Sequence, residues 1–176
     1  MIKIIIRKAV AKDAESIAYV HVESWKSTYR RILSDATLSK LSPEKRAELW
    51  KTSLSDPHCQ DIVYVAENAE NRIAGFASGG PSRLHQSRYK GEIYAIYLLD
   101  RHQKKGIGRR LMRAVAEELA KKNMDTLMVQ VLADNPSVSF YERLGGKTFA
   151  EKQIEIGEDR VKTIAIGWTD MKGLLT

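Results

Sequence analysis

One stretch constrains this chain more than any other. Glu92-Ile93-Tyr94-Ala95-Ile96-Tyr97-Leu98 is rich in β-branched and aromatic residues and reads as a strand. It runs through Leu99-Asp100-Arg101-His102 into Gln103-Lys104-Lys105-Gly106-Ile107-Gly108, after which Ile107, Leu111, Ala114, Val115 and Leu119 recur at helical spacing. The first N–H groups of a helix have no internal partner and, with the helix dipole, attract anions. Glycines let the backbone approach a phosphate closely, and Lys104, Lys105 and Arg109 add charge-assisted contacts. A pyrophosphate is a natural ligand for this arrangement. Two familiar phosphate loops do not fit. No Gly-Lys-Ser/Thr ending is present, and Leu111 stands where a dinucleotide fingerprint starting at Gly106 needs its third glycine. Taken alone, the charge run also reads as a solvated helix face.

The rest of the chain supplies elements on either side. Ile2–Lys8 reads as a strand, and Asp13 and Glu15 put acid at a helix start. Ile17, His21, Trp25 and Thr28 share one helical stripe, with Val20 beside it. A second short helix begins near Ser34, and Ser42-Pro43 opens a third that runs through Trp50. After a break at Asp56-Pro57, Ile62–Glu67 and Arg72–Ser78 read as strands, and Gly79-Gly80-Pro81 starts a polar loop reaching Tyr89. Thr126–Leu132 is a strand, and Pro136–Leu144 a helix stopped by Gly145-Gly146. Lys147–Ile156 and Arg160–Trp168 are strands flanking a turn at Gly157. The order β, helices, β, β, β, α, β, α, β, β is most economically packed as an α/β (α+β) mixed sheet with helices on its faces.

Composition narrows the class. The 176 residues are 43% hydrophobic and 29% charged, which suits one globular domain spanning 1–176. A single cysteine, Cys59, rules out an internal disulfide framework. His21, His58, His85 and His102 lack metal-ligand spacing, so no metal is expected. No apolar run reaches the length of a membrane span or a signal-peptide core, so the expected location is the cytoplasm. The net charge of +7 calls for an anionic partner, and nucleic acid, a membrane surface or a phosphorylated cofactor would each satisfy it.

Gln103-Lys104-Lys105-Gly106-Ile107-Gly108 resembles the Gln/Arg-x-x-Gly-x-Gly/Ala loop of the GNAT superfamily of acetyl-CoA-dependent N-acetyltransferases. Asn135-Pro136-Ser137-Val138-Ser139-Phe140-Tyr141-Glu142-Arg143-Leu144-Gly145-Gly146 is similar to the family's second motif, a short helix ending in Phe-Tyr-x-x-x-Gly. The tail from Glu155 to Trp168, Trp25-Lys-Ser-Thr-Tyr29 and Trp50 also resemble segments of small bacterial members. The resemblance implies a twisted sheet of about seven strands whose fourth and fifth strands splay around acetyl-CoA. It places the pantetheine arm beside Ile96, Tyr97 and Leu98, and the pyrophosphate on Gln103, Lys104, Lys105, Gly106, Ile107, Gly108 and Arg109. A homodimer would be in keeping with the family.

Transfer to an amine requires a base for the ammonium and a proton for the departing thiolate. Glu92, eleven residues before Gln103, has the offset of the base glutamate of histone-type members. Strand alternation puts Glu92, Tyr94, Ile96 and Leu98 on one face. Tyr141 takes the family's acid position, and a backbone N–H near Leu98 would polarise the thioester carbonyl. The family often has asparagine seven residues before this tyrosine. Asp134 stands there, leaving Asn135, six before, as the cofactor contact or as a cap of the following helix. Trp25, Tyr29 and Tyr94 are candidates to line the acceptor groove, and packing aromatics is the plainer reading. The acceptor is a small-molecule, peptide or protein amine. The competing functions are a non-catalytic acyl-CoA sensor and a nucleic-acid-binding domain. Retention of Glu92 and Tyr141 counts against the first, and the lack of an RNA-binding aromatic signature or a zinc finger against the second.

Overall fold

A computed structural model describes residues 3–176. Its elements are β1 (Ile4–Lys8), a 3-10 turn at Ala11–Asp13, α1 (Ala14–Tyr29), α2 (Asp35–Ser39), α3 (Pro43–Ser55), β2 (Ile62–Asn68), β3 (Ile73–Pro81) and β4 (Gly91–Leu98). They continue with a 3-10 turn at Asp100–His102, α4 (Ile107–Lys121), β5 (Leu127–Leu132), α5 (Val138–Arg143), β6 (Lys147–Ile156), β7 (Asp159–Trp168) and α6 (Lys172–Leu175). The first strand of the sequence reading included Ile2, which lies outside the described residues.

Local chemistry accounts for several boundaries. Ser34 and Ser42 cap α2 and α3 by accepting the Thr37 and Lys45 N–H groups, each at 3.2 Å, and Pro43 sits in the first turn of α3. Four differences from the sequence reading have physical causes. Gly79, Gly80 and Pro81 do not open a loop but extend β3, with proline tolerated as the last strand residue. α3 continues past Trp50 to Ser55, since no breaker intervenes before Asp56-Pro57. α5 begins at Val138 rather than Pro136, because the Asn135 side chain holds the Ser137 N–H and shapes a turn there. The short helix α6 has too little periodicity to be read from sequence.

The sheet has seven strands in the order β1-β2-β3-β4-β5-β7-β6. Every neighbouring pair is antiparallel except β4 and β5, which run parallel. Those two pair only from Gly91–Ile93 against Leu127–Val129 and then part. α4 covers one face with Leu111, Met112, Val115 and Leu119, packed with Ile93, Leu127 and Val129. α1 covers the other, where Ile17 and Val20 meet Val63, Val65 and Phe76.

β4 carries a bulge. Gly79 pairs with Ile93 but Ser78 pairs with Ala95, so Tyr94 is the extra residue. One inserted residue reverses the alternation beyond it. Ile93, Ile96 and Leu98 therefore pack on the α4 side, while Ala95 and Tyr97 join the α1 side. The expected single face holding Glu92, Tyr94, Ile96 and Leu98 does not exist: the bulge parts Glu92 and Tyr94 from Ile96 and Leu98.

The seat of α4 on the sheet depends on the missing side chain of Gly79. A Cβ there would lie 2.7 Å from the Glu92 carbonyl oxygen and 2.8 Å from Val115 Cγ1. Gly79→Ala is expected to destabilise the fold by about 1–3 kcal/mol, the usual range for overpacking a close contact. Thermal and urea unfolding of the variant would measure the loss.

Candidate active site

The turn before α4 folds as the sequence pattern requires. Gly106, at its N-terminus, is left-handed with φ +76°, and Lys104 has φ +58°. Such alternation turns successive N–H groups to one side. Among the described residues, no N–H from Lys104 to Arg109 has a protein partner, and the next one, from Arg110, bonds the Gly106 carbonyl at 3.2 Å. The result is a concave run of free donors at the positive end of a 15-residue helix.

The side chains around it divide by task. Lys104 and Arg109 make no ion pair or side-chain hydrogen bond among the described residues. Lys105 Nζ donates to the Arg101 carbonyl at 2.7 Å and braces the turn. Gln103 Nε2 donates to the Leu98 carbonyl at 3.1 Å, tying the turn to the end of β4. Arg110 donates to the Ile4 carbonyl at 2.9 Å, and Arg113 pairs with Glu117 at 2.8 Å. These last two charges fasten and solvate the helix.

The cradle lies at the open end of the gap between β4 and β5. Leu99 N–H bonds the Ala74 carbonyl at 3.0 Å, so alternation turns the N–H and C=O groups of Ile96 and the N–H of Leu98 to the edge that β5 has left, while the Leu98 carbonyl already accepts from Gln103 Nε2 and, at 3.4 Å, from Ser24 Oγ. An extended chain can add itself to such an edge as a strand. The cradle and the edge together fit a phosphorylated ligand with an extended, amide-bearing arm.

Three tyrosines gather beside this edge. Tyr97 stacks on His21 with ring centroids 5.1 Å apart, and its hydroxyl accepts from Trp25 Nε1 at 2.9 Å. Tyr29 is buried, lies edge-on to Trp25, and its hydroxyl accepts from Asn135 Nδ2 at 2.9 Å. Tyr141 is buried between Phe140 and Trp168. Burial pushes all three phenols above their ordinary range, and neighbouring phenols add to this at Tyr97 and Tyr141. Each therefore keeps its proton at neutral pH. Burial holds His21, in contrast, down at about 4, so it is a neutral packing residue. The Asn135 amide is engaged at both ends: besides the bond from Nδ2 to Tyr29, Oδ1 accepts from the Ser137 N–H and Oγ, each at 2.8 Å. It links α1 to the turn before α5.

At the closed end of the gap sits Glu92. Its side chain is wholly buried, and each carboxylate oxygen has a partner. Oε2 accepts from Arg83 Nε at 2.7 Å, and Oε1 from Gln130 Nε2 at 3.2 Å. Tyr94 lies next to it with its hydroxyl on the Pro81 carbonyl at 2.6 Å and the Arg83 guanidinium 4.1 Å above its ring. Burial, followed by Asp61 and Glu92, pushes the Tyr94 phenol up to about 12. Arg83 and Gln130 went unmarked in the sequence. Gln130 had a signal, as the lone polar side chain in the apolar strand Leu127–Leu132. Arg83 had none, being one charge in a polar loop.

Residues 18–146 match the profile of the acetyltransferase (GNAT) family. An uncharacterised N-acetyltransferase, YuaI, of Bacillus subtilis is 38% identical over 172 residues, covering 97% of this chain and 96% of its own. A spermidine N(1)-acetyltransferase of Thermoplasma acidophilum is 28% identical over 145 residues, with 81% of this chain and 87% of that protein covered. The crystal structure of the PaiA N-acetyltransferase of Thermoplasma acidophilum in complex with coenzyme A superposes with a TM-score of 0.73 at 25% identity, covering 92% of this chain and 98% of the other.

The cradle makes a specific prediction. A Cβ on Gly106 would meet nothing within 4 Å, so Gly106→Val disturbs the turn through its positive φ and not through a clash. A β-branched residue held there costs about 1–3 kcal/mol, and relaxing it turns the N–H groups away from their common focus. The variant should remain folded and bind coenzyme A at least tenfold more weakly by calorimetry, a loss of about 1.4 kcal/mol. Lys104→Ala should cost less, since a flexible point charge adds strength but not geometry.

Proposed function

The chain belongs to the acetyltransferase (GNAT) family and is an acetyl-CoA-dependent N-acetyltransferase; from that premise we propose which residues carry the transfer and what kind of acceptor they take. The carrying observation is the open edge of β4 that ends on the free N–H run from Lys104 to Arg109. We read residues 1–176 as one catalytic domain, a reading supported by a relative that aligns over 97% of the chain.

Acetyl-CoA supplies the activated acetyl thioester. The N–H groups from Lys104 to Arg109 hold its pyrophosphate, with Lys104 and Arg109 adding charge. The backbone edge at Ile96 and Leu98 aligns the pantetheine arm, and Tyr97 supports that edge from the opposite face. A free N–H on the same edge polarises the thioester carbonyl, where preorganised donors act most strongly. Gln103 fixes the approach to the cradle. The Asn135 amide, already bonded to Tyr29 and Ser137, positions α5 beside the arm and does not need to touch it.

The acceptor is a primary amine that enters from the α1 side of the sheet. At neutral pH it arrives protonated and cannot attack. Glu92 takes the proton from the ammonium nitrogen. Tyr141, whose hydroxyl burial keeps protonated, gives a proton from Oη to the departing sulfur. Trp25 and Tyr29 support the groove through their bonds to Tyr97 and Asn135, while Tyr94 presents its ring beside Glu92. The similarity to a spermidine acetyltransferase supports testing polyamines first.

Thiol release from acetyl-CoA against a panel of amines, with spermidine among them, tests the assignment. Amine-dependent release is expected. Tight coenzyme A binding with no acceleration by any primary amine would overturn it. Glu92→Gln is expected to lower kcat at neutral pH by roughly 10²–10⁴-fold, the range for a positioned acid or base. The deficit should shrink as pH rises, because more of the amine is already deprotonated. Tyr141→Phe should also slow turnover, but alkaline pH should not rescue it. A wild-type pH–rate profile for Glu92→Gln would remove Glu92 from the reaction.

A further inference from the structure

Glu92 presents a difficulty that its surroundings resolve. A carboxylate with no exposed surface cannot meet a free amine unless something over it moves. Its cover consists of Gln130 on β5, Tyr94 on the bulge of β4, and Arg83 on the loop after β3. The first two belong to the sheet. Arg83 does not. Its side chain is 61% exposed, and its loop, Ser82 to Tyr89, is fastened at its base by the Ser82 N–H bond to the Lys90 carbonyl at 2.8 Å.

What Arg83 occupies has the chemistry of a cation subsite. A buried carboxylate lies on one side of its guanidinium at 2.7 Å, and the face of an aromatic ring on another at 4.1 Å. A carboxylate and an aromatic face together attract organic cations, the carboxylate the more specifically through charge-assisted hydrogen bonds. Asp61 is near enough to act electrostatically on both Arg83 and Tyr94. An alkylammonium or alkylguanidinium satisfies the same partners as the arginine does. Nothing in this arrangement suits an anionic or uncharged ligand.

We propose that Glu92 and the ring of Tyr94 form the cation subsite of the acceptor groove, that Arg83 fills it as an internal competitor, and that a cationic acceptor enters by displacing the Arg83 side chain into solvent. This rests on the reading of Glu92 as the group that meets the acceptor amine. It adds a selectivity for cationic amines and an entry step. An internal competitor weakens apparent affinity by the fraction of time the subsite is free. If Arg83 is seated about nine-tenths of the time, removing it tightens cation binding about tenfold.

The test measures equilibrium binding and needs no turnover. The probe is n-propylguanidinium, which reproduces the arginine side chain from Cβ outward and is titrated calorimetrically into protein saturated with coenzyme A. Arg83→Ala and Arg83→Met are expected to bind it about tenfold more tightly than the wild type does, and Glu92→Gln added to either should abolish the gain. Arg83→Met keeps the apolar stem and serves where the alanine variant folds poorly, as judged by its melting transition. Equal affinity in wild type and both variants would overturn the proposal, and so would binding that survives Glu92→Gln. The kinetics give a second discrimination. For an amine that turns over, an internal competitor predicts a lower KM in Arg83→Met, and added n-propylguanidinium then inhibits. A fallen kcat that n-propylguanidinium restores would show instead that Arg83 holds Glu92 in place. A failure of acetyl transfer itself would appear in thiol release and leave the binding result standing.

Discussion

Backbone groups buried without a partner cost on the order of 1–3 kcal/mol each, so paired strands tend to stay paired. β4 and β5 give up that pairing after Ile93 and Val129. On its other edge β5 stays paired along its whole length with β7, from Leu127–Trp168 to Leu132–Thr163, so it remains in the sheet while β4 departs from it. The cost is an unpaired edge on β4, and the gain is a slot that a ligand's own amides can complete.

The ends of that slot have opposite character. At its open end, glycine at a left-handed position and a helix start gather donors with no acceptor among the described residues. At its closed end, a buried carboxylate is satisfied by an arginine and a glutamine. A phosphorylated cofactor and the cationic acceptor we propose would thereby be directed to different places. Between them the bulge at Tyr94 separates the two functions along one strand, turning Glu92 and Tyr94 away from the face that Ile96 and Leu98 present to α4. The sheet thus handles opposite charges within a few residues of each other without pairing them.

The α1 side supports this slot through polar contacts and not through bulk alone. Trp25 holds the Tyr97 hydroxyl, Asn135 holds that of Tyr29, and the turn before α5 is held in the same network. Networks of this kind are costly when half satisfied and rigidifying when complete. The tyrosine cluster is therefore as much a framework for α1, β4 and α5 as a source of donors. Asp159 does similar work at the other end of the sheet, accepting from the Ser34 N–H at 3.0 Å and from Thr37 Oγ1 at 2.6 Å, and so pinning the β6–β7 turn to α2.

Much of this was legible in the sequence. Periodicity marked α4, Ser-Pro marked the start of α3, and the glycine turn with its basic flank marked the cradle, because capping, helix phase and a positive φ are local effects that act through neighbouring residues. The same holds for strands such as β1 and β2, whose β-branched runs are local signals, whereas β3, with Ile73 as its one β-branched residue, hides its end in glycines. The parting of β4 from β5 could be expected only through family resemblance, and the insertion of β7 between β5 and β6 was not expected at all, since strand order is decided by pairing between distant segments. The bulge at Tyr94 escaped altogether. A single extra residue leaves no mark on composition, yet it reverses every side chain beyond it, so strand alternation alone does not give the face of Glu92. The partners of Glu92 escaped as well. Arg83, nine positions away, and Gln130, thirty-eight away, come together only when β3 turns back on β4 and β5 closes from the other side. What the sequence determined by itself is the chemistry that each local segment can offer. What the tertiary structure alone decided is which of those groups face one another, because burial and strand pairing act between residues far apart in the chain.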